Sequence, residues 1–290
     1  MLKKILIALL FLPAFAHAQV RHHEMGIFGG TSSYFGDLQQ DLFPEGGYRA
    51  CGGLVYKYFV HPNLGFRVGV NYASLYGADS SSNIPAIKAR NLDFQSNLLE
   101  INWGVEANLL PVEQDQYKIS PYVFAQMALF YYNPYTQDQN NDKLYLRPLS
   151  TEGQGLRQYP DRKLYSLVNV GFPLGAGVRF FIGKKVMLNA ELGFRYTLTD
   201  YLDDVSKSYV NLDTLFSVKK TQSVDFSFRG DELPTWDGNY PNEGFARGDN
   251  RATDWYWFGG VSVSIYFDSR GNSPRHRQSR CPRRVFSSRR

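Results

Sequence analysis

The sequence predicts an all-β protein, an eight-stranded antiparallel transmembrane β-barrel with short periplasmic turns and long extracellular loops. Three observations carry this expectation. Eight segments read as strands, five of them with apolar residues at every second position, the period of a strand. The connections between them alternate strictly between short and long. The chain also opens with an export signal.

The signal is MLKKILIALLFLPAFAHAQ. Lys3 and Lys4 give it a positive start, Ile5 to Phe15 an apolar body, and Ala16-His17-Ala18 the small residues a signal peptidase needs. The apolar run is shorter than the ~20 residues that span a bilayer, so it reads as a cleaved leader rather than an anchor. No cysteine stands at the cleavage point, which excludes a lipoprotein. Residues 1–18 are therefore expected to be signal peptide, 19–267 barrel and 268–290 a basic periplasmic tail.

Taken in order, two weaker strands come first, near 22–30 and 50–59. Leu64, Phe66, Val68, Val70 and Tyr72 then share one face, and Leu99, Ile101, Trp103, Val105 and Ala107 share another. The segment from Tyr122 to Phe130 is apolar on both faces, so its facing stays open. VGFPLGAGVRFFI (170–182) and the run from Val186 to Tyr196 alternate clearly, as do Val261, Val263, Ile265 and Phe267 against Ser262 and Ser264. Aromatics make up 16% of the chain, a mix that suits strands. Beyond the leader no apolar run is long enough for a transmembrane helix.

The short connections are His61-Pro62-Asn63, residues 110–119 and Gly183-Lys184-Lys185, and the longest ones cover about 131–165 and 198–253. An even strand number with this alternation places both chain ends in the periplasm and makes the protein an integral outer-membrane protein of a Gram-negative bacterium, in contact with outer-membrane lipid. A soluble sandwich or lipocalin-like barrel is the competing fold, but its outward strand faces should be polar. Trp255 and Trp257 at one end of the last strand, and Phe267 at the other, suit aromatic girdles. The inward face carries Arg67, Arg179 and Arg195 against Glu100, Glu106 and Glu191. An eight-stranded barrel is about wide enough for side chains to fill. Buried charges must pair, so these six predict a plugged lumen.

The net charge of +5 is uneven: residues 268–290 hold eight Arg and one Asp, which leaves the preceding chain at −2. A near-neutral body with a basic tail argues against a nucleic-acid partner. No cofactor is expected: Gly183-Lys184-Lys185 lacks the Ser or Thr of a phosphate loop, Gly175-Ala176-Gly177 opens no helix, and no G-x-S-x-G occurs. No metal site is expected either. His22-His23-Glu24 reads as a solvated polar start, and Asp203-Asp204 and Asp237-Gly238-Asn239 read as turn formers rather than calcium ligands. His22, His23, His61 and His276 all fall at the periplasmic end, which disfavours a histidine-dependent enzyme facing outward. Cys51 and Cys281 are too few for a disulfide framework; Cys281 can pair with a partner's cysteine or with Cys51.

Two segments carry a family resemblance. GGTSSYFGDL (29–38) and RYTLTDYLDDVSKSYVN (195–211) resemble segments of the PorG-type outer-membrane proteins of the type IX secretion system, and the Cys281-Pro282 pair is similar to their Cys-Pro ending. The arginine-rich end beyond Phe267 departs from that pattern. The resemblance implies a non-catalytic barrel that attaches a periplasmic ring lipoprotein and associated secretion proteins to the outer membrane. On that reading the partner-binding residues are His61, Gly183, Lys184 and Lys185 in the turns, and Arg280, Cys281, Pro282, Arg283 and Arg284 in the tail. The alternative function is that of a small OmpA- or OmpW-like barrel with a structural or surface-binding role. In GGTSSYFGDL itself, Gly29 and Gly30 are expected to bend the first strand at the barrel rim.

Overall fold

A computed structural model describes residues 22–110, 119–138, 140–182 and 185–268. Ten strands form one sheet: β1 (His22–Phe35), β2 (Arg49–His61), β3 (Leu64–Ala78), β4 (Asp93–Asn108), β5 (Ile119–Tyr131), β6 (Pro134–Gln137), β7 (Lys143–Tyr145), β8 (Val168–Ile182), β9 (Val186–Thr197) and β10 (Trp255–Asp268). Eight of them close a ring in the order β3-β2-β1-β10-β9-β8-β5-β4, with β4 returning to β3. Each pairing is antiparallel. The remaining two, β6 and β7, form a hairpin that extends the outer end of β4 through Gln95 and Ser96.

Alternation sets the two faces. Along β5, Tyr122, Phe124, Gln126, Ala128 and Phe130 are buried while Val123, Met127 and Leu129 are exposed, which settles a facing that the sequence leaves open. Outside, Met25, Ile27, Leu54, Val70, Ile101, Val105, Leu174, Val263 and Ile265 form a continuous exposed apolar wall. Tyr72, Tyr131, Tyr196 and Trp255 border it toward the long loops, and Tyr56, Phe66, Phe180 and Phe267 toward the short turns. Trp255 and Phe267 lie twelve residues apart on β10. At ~3.3 Å per residue and a tilt of ~40°, that spans about 30 Å along the barrel axis, the thickness of a bilayer core.

The strands run further outward than the sequence reading. The first continues through Thr31 to Phe35, and β4 begins at Asp93. The reason lies on the outer face of β4. Asp93, Gln95 and Asn97 point outward beyond the apolar wall, while Phe94, Ser96 and Leu98 point in. The outward side chains turn polar where the strand leaves the belt, so the apolar alternation ends before the strand does.

Gly29 and Gly30 consequently lie within β1 and not at the rim. They differ in role. A Cβ on Gly29 would meet nothing within 4 Å, whereas one on Gly30 would come 2.6 Å from the Cα of Gly260, and one on Gly260 would come 2.7 Å from the Cα of Gly30. These two glycines face each other across the seam where the first and last strands close the ring. Backbone cannot yield there as a flexible side chain can. Gly260→Val is therefore expected to abolish the compact, heat-modifiable gel band of the folded barrel, and Gly29→Val to leave it intact. Equal folding of the two variants would refute a close-approach seam.

The long connections are ordered. They hold the helices α1 (Pro85–Arg90), α2 (Leu212–Lys219) and α3 (Thr221–Asp225) and the β6–β7 hairpin, and they pack over the outer mouth as a cap. One apolar core runs from the barrel interior (Phe28, Phe130, Phe258) into the cap (Leu38, Leu149, Leu202, Val205).

Candidate functional site

Two polar assemblies lie inside the molecule, one in the lumen and one in the cap. In the lumen, Arg179 reaches Glu106 at 2.5 Å and Glu24 at 3.2 Å. Lys57 reaches Glu106 at 2.7 Å, Arg67 reaches Glu106 at 3.4 Å and Glu191 at 2.5 Å, and Arg195 reaches Glu100 at 3.4 Å. Glu191 and Glu100 also accept from neutral donors. Tyr122 donates to Glu191 at 2.8 Å, Tyr256 to Glu100 at 2.7 Å, and Asn71 and Asn102 to Glu100 at 2.8 and 2.7 Å. Each of the three arginines also lies over a ring: Arg67 over Phe124, Arg179 over Phe59 and Arg195 over Phe258. The space is filled by side chains from every wall of the ring.

The six charged residues read from the sequence (Arg67, Glu100, Glu106, Arg179, Glu191, Arg195) all stand in this network. Sequence reasoning missed two more, Glu24 and Lys57, which oppose each other across β1 and β2 and bring the network to four charges of each sign. The reading of His22-His23-Glu24 as a solvated start is corrected. His22 and Glu24 are fully buried, with the His22 ring stacked 4.4 Å from Phe59. Alternation points positions 22 and 24 inward once the strand begins at His22, leaving only His23 outside.

A second correction concerns the girdle. Trp255 is exposed, but Trp257 is only 5% exposed because the first long loop folds back over it. Phe43 and Tyr48 lie 5.4 and 5.8 Å from its ring, and its indole N–H donates to the Leu42 carbonyl at 2.8 Å. Cys51 is buried among Phe28, Ala73 and Leu98 in the upper lumen, well away from the short turns.

In the cap, the two family-resembling segments meet. The Tyr34 hydroxyl lies 2.7 Å from an Asp203 oxygen and 2.8 Å from an Asp254 oxygen. Asp203 also accepts from the Val205 amide and Asp254 from the Leu202 amide. Gly36 is required beside them, since a Cβ there would collide with Tyr34 and Asp254. Tyr165 and Thr151 donate to Asp204. Glu152 accepts from the Ser206 and Lys207 amides and from Arg247. Asp79 holds Arg90 through both oxygens. The chain bends at Asp203-Asp204, with Asp204 at φ 70°, and the pair also organises the cap core.

Burial and neighbouring carboxylates raise the acids of this cap. Burial pushes Asp204 up to about 6 and Asp37 up to about 6, and burial with the Asp37 and Glu152 charges pushes Asp200 up to about 7. Asp203 and Asp254 lie well above the usual carboxylate range, again through burial first, followed by the Asp37 charge for Asp203 and the Asp203 and Asp200 charges for Asp254. Tyr34 has one proton and two carboxylate partners, so one of the pair is satisfied as an acid when the other is ionised.

The expected partner-binding positions divide. His61 ends β2, where its Nδ1 accepts from the Asn63 amide at 3.1 Å, and Lys185 follows β8, its carbonyl accepting from the Tyr266 amide at 2.7 Å. Both lie at the short-turn end with His22 and His23, opposite the cap. Gly183, Lys184, Arg280, Cys281, Pro282, Arg283 and Arg284, with His276, lie outside the described residues.

A family model described as a domain of unknown function (DUF6089) matches residues 3–230. Comparison with curated proteins finds no match. Among solved structures, the chain is similar to Neisserial surface protein A (10% identity, 85% of this chain and 97% of that one, TM-score 0.39). It is also similar to Ail, the attachment invasion locus protein of Yersinia pestis, in complex with a heparin analogue (9%, 86% and 100%, 0.40), and to the outer-membrane protein OprG of Pseudomonas aeruginosa (10%, 88% and 99%, 0.39).

Proposed function

We propose that this chain, which belongs to the family described as a domain of unknown function (DUF6089), is an integral outer-membrane barrel with a structural or surface-binding, non-catalytic role exercised through its outer cap. The observation that carries this reading is the contrast between wall, lumen and mouth. The wall is apolar over about a bilayer's thickness, the lumen is filled with paired charges, and the mouth is closed by an ordered cap with clefts in it. A belt of that extent in water would be an aggregation site; in lipid it is solvated. The test is fractionation with external labelling. The chain should stay in carbonate-washed outer membranes, and cap lysines such as Lys219 and Lys220 should react with a membrane-impermeant amine reagent on intact cells. A soluble chain, or an unlabelled cap, would overturn the reading.

A narrower reading rests on the resemblance to PorG-type proteins. In it the barrel anchors a periplasmic ring lipoprotein and associated type IX secretion proteins through the His61 turn, the Gly183 to Lys185 turn and the Arg280 to Arg284 tail. Two of the segments that carry the resemblance meet in the cap, at the other end from His61 and Lys185, which favours the broader reading. Affinity purification from solubilised membranes discriminates. The narrower reading expects the ring lipoprotein to co-purify, and less of it with Arg280, Arg283 and Arg284 changed to Ser. No co-purification, with secretion intact in a deletion strain, would sink it.

A further inference from the structure

The cap carries a cleft that its own packing does not explain. Two adjoining cavities of about 400 and 420 Å³ share Ala89, Phe228, Pro241 and Phe245 as a common wall. A chain of rings runs along them: Tyr209 lies 6.2 Å from Phe228, Phe228 5.7 Å from Tyr240, and Tyr240 5.4 Å from Trp236, each pair at a steep angle. Trp236 is 38% and Phe245 58% exposed, so ring surface stands open along the cleft.

The polar lining has a distinct charge. Asp37 and Asp249 border one cavity, and Asp237, Asn239 and Asn242 the other. The two arginines that border the first cavity are already spent, Arg90 on Asp79 and Arg247 on Glu152. The cleft thus combines open ring faces with carboxylate and amide groups and offers no unpaired cation. It repels phosphate, sulfate and acidic chains. It has no strand edge for a peptide either, because the free edge of the cap hairpin at Lys143–Tyr145 borders neither cavity.

We infer that this cleft is a binding site for a neutral oligosaccharide. A pyranose ring has an apolar C–H face that packs on an aromatic ring and a rim of hydroxyls that donate to carboxylates and pair with amides. Apolar walls with a few polar groups are what a small-ligand site requires. Two cavities in line suit adjoining sugar units rather than one. The inference rests on the surface-binding reading above for its orientation, since only an outward cap meets external glycans.

The test uses the full chain purified in detergent, with maltohexaose, cellohexaose, chitohexaose and mannohexaose as neutral probes, and heparin and a poly-proline peptide as the other classes. Binding is read by calorimetry. At least one neutral probe should bind, with affinity falling about tenfold or more in Trp236→Ala and in Phe245→Ala. Both positions are exposed, and the heat-modifiable gel shift shows that each variant folds. Absence of neutral-probe binding up to about 10 mM, binding unchanged in both variants, or binding of heparin or the peptide alone would overturn the inference. An unlabelled cap on intact cells would fail the orientation while leaving this measurement in detergent standing.

Discussion

Glu106→Leu should all but abolish folding of the barrel. Glu106 lies within 2.7 Å of Lys57, 3.4 Å of Arg67 and 2.5 Å of Arg179. It is fully buried. Removing it takes from buried Lys57 the carboxylate it pairs with and leaves Arg67 and Arg179 with only Glu191 and Glu24 among three close cations. Breaking one buried pair typically costs ~3–5 kcal/mol, and here one carboxylate serves three partners, against a total stability of order ~5–15 kcal/mol. The folded gel band should be lost, or the urea midpoint should fall by a large fraction. The contrasting variant is the double exchange Arg67→Met with Glu191→Leu. It removes a bidentate pair as a unit and leaves Glu106 with Lys57 and Arg179. It should cost less than Glu191→Leu alone, because both desolvated charges leave together. If the double is worse than the single, or Glu106→Leu folds normally, the lumen is not held as a balanced network.

That network was largely legible because a membrane barrel simplifies the code. Outward positions must be apolar for lipid, so any Arg or Glu at the alternate positions of 64–72, 99–109 or 170–196 has to point in. Glu24 and Lys57 escaped the same logic for a local reason. Lys57 lies between Tyr56 and Tyr58, so either facing looks acceptable in sequence, and only the pairing of Glu24 with Lys57 shows that both point in. The cap was not legible at all. Its buried groups (Asp203, Asp204, Glu152, Arg247) sit in segments without periodicity, where Asp reads as a turn former. They become core only because residues more than 150 positions apart, such as Tyr34 and Asp203, meet over the mouth. The available signal was indirect: two distant segments both resembled one family. Each supplies one side of a buried cluster that Asp254 completes. Trp257 illustrates the same limit, because a girdle residue in the alternation became a covered one through loop contacts that no period encodes.

The cap should tighten as pH falls, opposite to the usual acid loosening of a protein. Asp37, Asp200, Asp203, Asp204 and Asp254 all have folded-state pKa values raised above those of an unfolded chain, through burial first. The folded cap therefore binds more protons than the unfolded one, and its stability declines as pH rises. The contribution is fully present below about pH 4, where the carboxyls are protonated in both states, and is lost as pH rises through about 6 for Asp37 and Asp204 and about 7 for Asp200. The amides of Leu202 and Val205, which donate to Asp254 and Asp203, report on it directly. Their hydrogen-exchange protection, corrected for intrinsic rate, should be greater at pH 5 than at pH 8, while amides in the middle of β4 and β5 change little. Asp254→Asn separates proton sharing from mere packing. Its amide oxygen can still accept from Leu202 and its N–H₂ can donate to the Tyr34 oxygen, freeing that hydroxyl to serve Asp203 alone. The variant should gain protection at pH 8 and lose much of the pH dependence. Equal protection of the native cap at the two pH values would remove the shared-proton account. Loss of protection in Asp254→Asn at both would show that Asp254 works there as a charge and not as an acid.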